Sequence, residues 1–122
     1  MLEILYPRRC AVCDEIEVTG KGICPLCKDK VHVAGEPACK KCGKPLVDER
    51  KEFCTDCGKK QHVYTQGKAV FVYEGGIRNS MYRFKYGNKR EYAEFYANAA
   101  LEKYGVWLNK IKAEVLIPIP MY

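Results

Sequence analysis

The sequence predicts a small zinc-stabilised double ribbon of β-knuckles followed by an α/β segment. All eight cysteines fall in four Cys-x-x-Cys pairs: Cys10-Cys13, Cys24-Cys27, Cys39-Cys42 and Cys54-Cys57. Residues 10–27 and 39–57 repeat one plan: a pair, a polar loop, then Lys-x-(Ile/Phe)-Cys-x-x-Cys. Beyond residue 60 the composition changes to apolar runs with strand and helix periods. The chain therefore divides into 1–64, the ribbons, and 65–122, the α/β portion.

Two residues between cysteines let both sulfurs face one point on a tight turn. Two such turns facing each other supply four thiolates in a tetrahedron, the arrangement of structural zinc. The predicted ligands are Cys10, Cys13, Cys24, Cys27, Cys39, Cys42, Cys54 and Cys57, for two Zn²⁺. Spacing alone allows sequential pairing or a cross-braced one; the repeat favours the sequential scheme, because each unit is then a complete ribbon. Iron in a rubredoxin-like site uses the same turns and is the alternative metal. His32 and His62 lie near sites already filled by sulfur and read as linker residues.

The start Met1-Leu-Glu-Ile-Leu-Tyr-Pro7 lacks a basic segment and a long apolar stretch, so no secretory signal is expected. No run approaches a membrane span in length. The expected location is cytoplasmic, where thiols stay reduced and metal is favoured over disulfides. The formal charge of +6 falls to about +2 once eight thiolates and two Zn²⁺ are counted. Residues 1–60 hold 12 Lys/Arg against 10 Asp/Glu, and residues 61–122 hold 9 against 5. The basic character of the loaded protein thus belongs to the second half.

Residues 2–6 form a short helical turn or strand ended by Pro7. Gly43 and Gly58 directly follow a second cysteine, where glycine lets backbone N–H groups curl toward the sulfurs. Ala69-Val-Phe-Val-Tyr73 is a β-branched and aromatic run, hence a strand, and Gly75-Gly76 breaks it. Ile77, Met81 and Phe84 share one face of a helix from 77 to 86, stopped by Gly87-Asn88. Residues 90–104 give the clearest helix, with Ala93, Tyr96, Ala97, Ala100, Leu101 and Tyr104 on one face and Gly105 as its C-terminal cap. Val106 to Lys112 is a further amphipathic stretch with the only tryptophan, Trp107. Val115-Leu-Ile-Pro-Ile-Pro120 is an unbroken apolar run that reads as a buried parallel strand.

These pieces carry a resemblance. Tyr6-Pro7-Arg8-Arg9-Cys10-x-x-Cys13, the double ribbon, Tyr73-Glu-Gly-Gly-Ile-Arg78, Phe84-Lys-Tyr-Gly-Asn-Lys-Arg90 and Ile117-Pro-Ile-Pro-Met-Tyr122 together resemble the N-terminal part of ComF-type proteins, which are associated with natural competence and DNA uptake. The resemblance implies that 65–122 is the opening of a type I phosphoribosyltransferase fold. It implies phosphoribosyl pyrophosphate (PRPP) and Mg²⁺ as ligands of a longer protein of that kind. That family's acidic, Thr/Gly-rich PRPP loop has no counterpart here, so the domain is expected to be truncated and the chain inactive as a transferase.

Arg78, Arg83, Lys85, Lys89 and Arg90 form a basic stretch interleaved with Tyr82, Phe84 and Tyr86. Cations beside aromatics suit the phosphates and bases of single-stranded DNA, while helical spacing assigns Phe84 to the core. The expected partners are single-stranded DNA and other competence proteins. The alternatives are a stand-alone zinc ribbon that binds protein or nucleic acid without catalysis, and a rubredoxin-like electron carrier. No catalytic constellation stands out, and closed S₄ sites leave no position for substrate.

Overall fold

The computed structural model describes residues 5–119. Four helices lie wholly within the described residues: α1 (Pro25–Lys28), α2 (Thr55–Lys59), α3 (Gly75–Tyr86) and α4 (Tyr92–Ile111). Among the described residues β pairing is limited to three isolated antiparallel bridges, Arg9 with Ile16, Val33 with Phe71, and Ala38 with Pro45. The chain forms two compact units, one of Met1–Lys30 with Glu74–Tyr122 and one of Val31–Tyr73. This partition by compactness differs from the partition near residue 64 drawn from composition.

The sequence repeat is a structural repeat. Cys10 N–H donates to Glu15 O and Cys39 N–H to Lys44 O, both at 2.8 Å. Asp14 N–H returns to Cys10 O and Gly43 N–H to Cys39 O, both at 2.9 Å. Ala11 N–H reaches Gly22 O and Lys40 N–H reaches Glu52 O, tying each knuckle to the loop before its second pair. Cys24 and Cys54 are the N-caps of α1 and α2, so the second pair of each ribbon sits on a helical turn.

In the first unit, α3 and α4 are held around a small core. Ile77, Ser80, Tyr92 and Phe95 are buried there together with Ala11 and Val12 of the first knuckle. The fit is close: a Cβ at Gly76 would lie 2.6 Å from Val12 Cγ1, and one at Gly22 would lie 3.0 Å from Phe95 Cβ. Phe84 is half-buried, its ring centroid 5.7 Å from that of Tyr96. The α3 helix ends as expected, with Gly87 N–H donating to Arg83 O at 2.7 Å.

Three expectations require correction. The helix from residue 90 does not stop at Gly105; α4 continues to Ile111 and closes at Lys112, whose φ is 46°. A mid-helix glycine costs only about 1 kcal/mol, and Leu101–Tyr104 and Val106–Leu108 on either side are sufficient helix formers. The separate amphipathic stretch is therefore the last two turns of α4. Ala69–Tyr73 is not a regular strand but one side of the Val33–Phe71 bridge, with Ala34 N–H to Val70 O and Val72 N–H to His32 O, each 2.9 Å. Its partner segment is cut short by Gly35 and Pro37.

The run from Val115 is not a buried strand. Residues 115–119 have no regular structure, and Leu116, Ile117 and Ile119 are 85–90% exposed. A parallel strand needs neighbours on its edges and cover on its faces, and no strand flanks this run among the described residues. Pro120, Met121 and Tyr122 lie outside the described residues, as do Met1–Ile4 of the expected N-terminal element. Leu5 and Tyr6 of that element are exposed.

Candidate metal centres

Sulfur atoms of Cys10, Cys13, Cys24 and Cys27 all lie within 4.8 Å of one another, and so do those of Cys39, Cys42, Cys54 and Cys57. The sequential scheme holds, and each ribbon closes its own cluster. Cys13 and Cys24 sulfurs are 3.7 Å apart, as are those of Cys42 and Cys54. A tetrahedral ion with metal–sulfur bonds of about 2.3 Å places sulfurs about 3.8 Å apart. The spacing and the all-sulfur donor set fit zinc.

Backbone donors serve the first sulfur of the first cluster. Val12 N–H and Cys24 N–H each point at Cys10 Sγ from 3.4 Å. Burial works against the Cys10 thiolate, but backbone N–H groups of Cys13, Cys24 and Val12 hold the thiol down to about 7. Cys39 follows the same logic: burial opposes its charge, and the N–H groups of Cys42, Cys54 and Lys41 bring it to about 6. Their neighbours move the other way. Burial and the adjacent sulfurs push Cys57 up to about 12, and burial followed by Cys24 and Cys13 pushes Cys27 up. One thiolate forms readily in each cluster, while four would repel one another unless a cation lies between them. A dication removes that conflict, and binding it releases protons.

The turn after each first pair is left-handed. Gly43 has φ +80°, as its glycine predicts, and Asp14 holds the equivalent position at φ +64°. Gly58 does not: it lies within α2, where Gly58 N–H donates to Cys54 O at 2.9 Å. The expectation failed because the second pair of each ribbon opens a helix and needs no left-handed residue.

Asp14 is a site residue without a signature of its own in the sequence. Its carboxylate accepts from Tyr92 OH and from Lys89 Nζ, the latter at 3.2 Å. Burial alone would raise its pKa; the Tyr92 hydrogen bond and the Lys89 charge hold it below the ordinary carboxylate range. Burial and the Asp14 carboxylate together push Tyr92 up to about 12. A signal was present in Cys10-Ala-Val-Cys13: buried apolar residues inside a knuckle announce that it packs against something, whereas Cys39-Lys-Lys-Cys42 announces solvent.

The second cluster has a different neighbour. Tyr64 stacks on His62 with centroids 5.2 Å apart, and Lys41 Nζ lies 5.3 Å from the Tyr64 ring centre. Burial and then the Cys57 and Cys42 charges push the Tyr64 hydroxyl up. Neither His62 nor His32 joins a cluster.

The basic stretch divides. Arg83 donates to Val12 O and lies against Tyr92, 3.4 Å from its hydroxyl. Lys89 is held by Asp14 and, at 4.0 Å, by Glu91. Both therefore brace the first knuckle. Arg78, Lys85 and Arg90 are exposed. Tyr82 and Tyr86 are about two-thirds exposed and form a ring pair with centroids 5.1 Å apart.

Residues 1–58 match the family of the double zinc ribbon domain. No curated protein and no solved structure matches the chain. The first half is thus a double zinc ribbon domain with two Cys₄ sites, consistent with two structural zinc ions. Helices dominate the second half, and no helix among the described residues is long and apolar enough to cross a membrane.

Proposed function

We propose that the chain is a ComF-like cytoplasmic protein of natural competence and DNA uptake. In this reading its eight cysteines hold two structural zinc ions, and residues 65–122 open a phosphoribosyltransferase-like domain. PRPP and Mg²⁺ would be ligands of a longer protein of that kind, and no transfer step is assigned to the residues present. The observation that carries the reading is the pair of closed Cys₄ clusters in a double zinc ribbon, set ahead of the motifs that resemble the ComF family. Single-stranded DNA is the proposed partner. Arg78 and Lys85 share α3 with the exposed Tyr82–Tyr86 pair and Arg90 follows it in the chain, and rings beside cations suit bases and phosphates. Arg83 and Lys89 belong to the proposed contact set with less weight, because both already brace the knuckle.

The test is fluorescence anisotropy of a labelled single-stranded oligonucleotide with protein carrying two zinc ions by metal analysis. Binding should weaken steeply with salt, and Lys85→Glu with Arg78→Glu should weaken it about 10-fold or more. Undiminished binding by the double variant removes α3 as the contact face.

A second reading, a ribbon module that docks on protein, is favoured by the apolar surface of the chain's last third. Leu101, Val106 and Ile111 of α4 are exposed, as is the run Val115–Ile119. Competence partner proteins fit that surface under either reading.

A further inference from the structure

A cleft of about 250 Å³ lies within the first compact unit, between the hairpin and loop of the first ribbon and the start of α4. Arg8, Arg9, Lys21 and Arg90 contribute to its wall, against two carboxylates, Glu91 and Glu94. Glu94 is engaged by Arg8 at 3.6 Å and Glu91 by Lys89 at 4.0 Å. The lining keeps an excess of two positive charges from residues far apart in sequence. Arg90 is the one member of the basic stretch that faces it; Lys21 and the Arg8-Arg9 pair come from the ribbon.

The wall is built, not a chance gathering of surface cations. Glu17 is only 5% exposed, and its carboxylate accepts from Thr19 N–H, Thr19 OH and, at 3.1 Å, Gly22 N–H. That network fixes the loop carrying Lys21, which turns through Gly20 and Gly22 at φ +77° and +79°. Gly22 also backs directly onto Phe95 of α4. Opposite, the Arg9–Ile16 bridge and Glu17 N–H to Arg8 O at 2.8 Å fix the strand-like segment that carries both arginines. Arg9 is further oriented by its hydrogen bond to Asp14 O at 3.2 Å.

We propose that this cleft binds the phosphate group of a small phosphomonoester. A phosphomonoester carries about −1.5 to −2 charge at neutral pH, which matches the excess of the lining. Arginine forks suit its oxygens in paired hydrogen bonds. The volume is below the range of about 300–1,000 Å³ for pockets that enclose a drug-sized ligand, so the cleft takes a phosphate and little beyond it. Nucleic-acid tracking is disfavoured, because stacking platforms are what such grooves use and Phe95, the ring in the lining, is buried. The cleft shares Arg90 with the basic stretch, but the two proposals are separable: Lys21 belongs only to the cleft and Lys85 only to the helix.

The experiment is calorimetric titration of the zinc-loaded full chain at low salt with inorganic phosphate, thymidine 5′-monophosphate, thymidine, and an oligothymidylate without terminal phosphates. Phosphate and the monophosphate should bind and thymidine should not. Lys21→Ala and Arg90→Ala should each weaken that binding about 10-fold or more, the effect of losing a hydrogen bond to a charged group, while Lys85→Ala leaves it unchanged. Both substituted residues are exposed, so retained zinc and helix content will show that the variants are folded. Absence of phosphate and monophosphate binding overturns the proposal, as does binding that Lys21→Ala and Arg90→Ala leave intact. Oligonucleotide binding that depends on Lys21, without monophosphate binding, overturns it in favour of a nucleic-acid groove.

Discussion

The two ribbons are one local structure held in two different ways. Their knuckles share the same backbone hydrogen bonds at a constant offset, and each ends in a left-handed residue. At that residue they diverge. Gly43 is pressed against backbone, so that a Cβ would lie 2.9 Å from Ala69 N and from Lys68 Cα. The chain at 67–69 holds the second knuckle by main-chain contact, with Gly67 N–H donating to Lys41 O at 2.6 Å. Asp14 instead uses its side chain, binding Tyr92 and Lys89. The first knuckle is held by side chains from the helices, with Arg83 reaching Val12 O. A shared metal motif therefore fixes the turn but leaves its support open, and the chain packed behind each turn selects Gly or Asp.

The largest contrast between the two ribbons should come from removing one ligand from each. Cys10→Ser and Cys39→Ser should each lose one zinc, and each site's apparent metal free energy is on the order of 10 kcal/mol. The consequences should differ. The first ribbon shares its compact unit with α3 and α4, and the second does not. Cys10→Ser should speed amide exchange across both helices and Cys39→Ser should leave it unchanged. Equal loss of protection in the two variants would contradict the division of support.

Next in size is Gly43→Ala. It combines a left-handed φ, costing an L-residue about 1–2 kcal/mol, with a Cβ tighter than van der Waals contact against fixed backbone. A loss of about 2–4 kcal/mol is expected, seen as earlier zinc release to a chelator from the second site alone. The reciprocal change, Asp14→Gly, relieves the backbone and removes the carboxylate. It should cost the first unit about 1–3 kcal/mol, the range for leaving buried donors unpaired, read from thermal unfolding of the zinc-loaded chain.

Much of this was legible in sequence. Cysteine spacing identified the clusters, and the repeat identified their pairing, because a Cys-x-x-Cys turn is determined by nearest neighbours. The helix over α3 was legible for the same reason: Ile77, Met81 and Phe84 mark a face whatever lies beyond it. Other features were not. Gly105 looked like an end, because a glycine's effect depends on whether the chain after it still favours helix. Val115–Ile119 looked buried, because apolar runs report what could be covered and not what covers them. Asp14 carries no local signature at all, because its partners are 75 and 78 residues away.

The smallest expected effect is also the most specific test of the Asp14 support. Tyr92→Phe keeps the ring that fills the core, 1% exposed, and removes only the hydroxyl that donates to Asp14. Lys89 still pairs with that carboxylate, so the loss should be about 1 kcal/mol. Combined with Asp14→Gly, it should cost little further, because the hydroxyl no longer has a carboxylate to serve. The shortfall from additivity, about 0.5–1 kcal/mol, measures the hydrogen bond apart from the strain and packing changes of either substitution. Gly43→Ala, in the other ribbon, should add in full to Tyr92→Phe. Additivity of Asp14→Gly with Tyr92→Phe would mean the two residues stabilise the knuckle separately, and that Arg83 and the buried Val12 hold it without them.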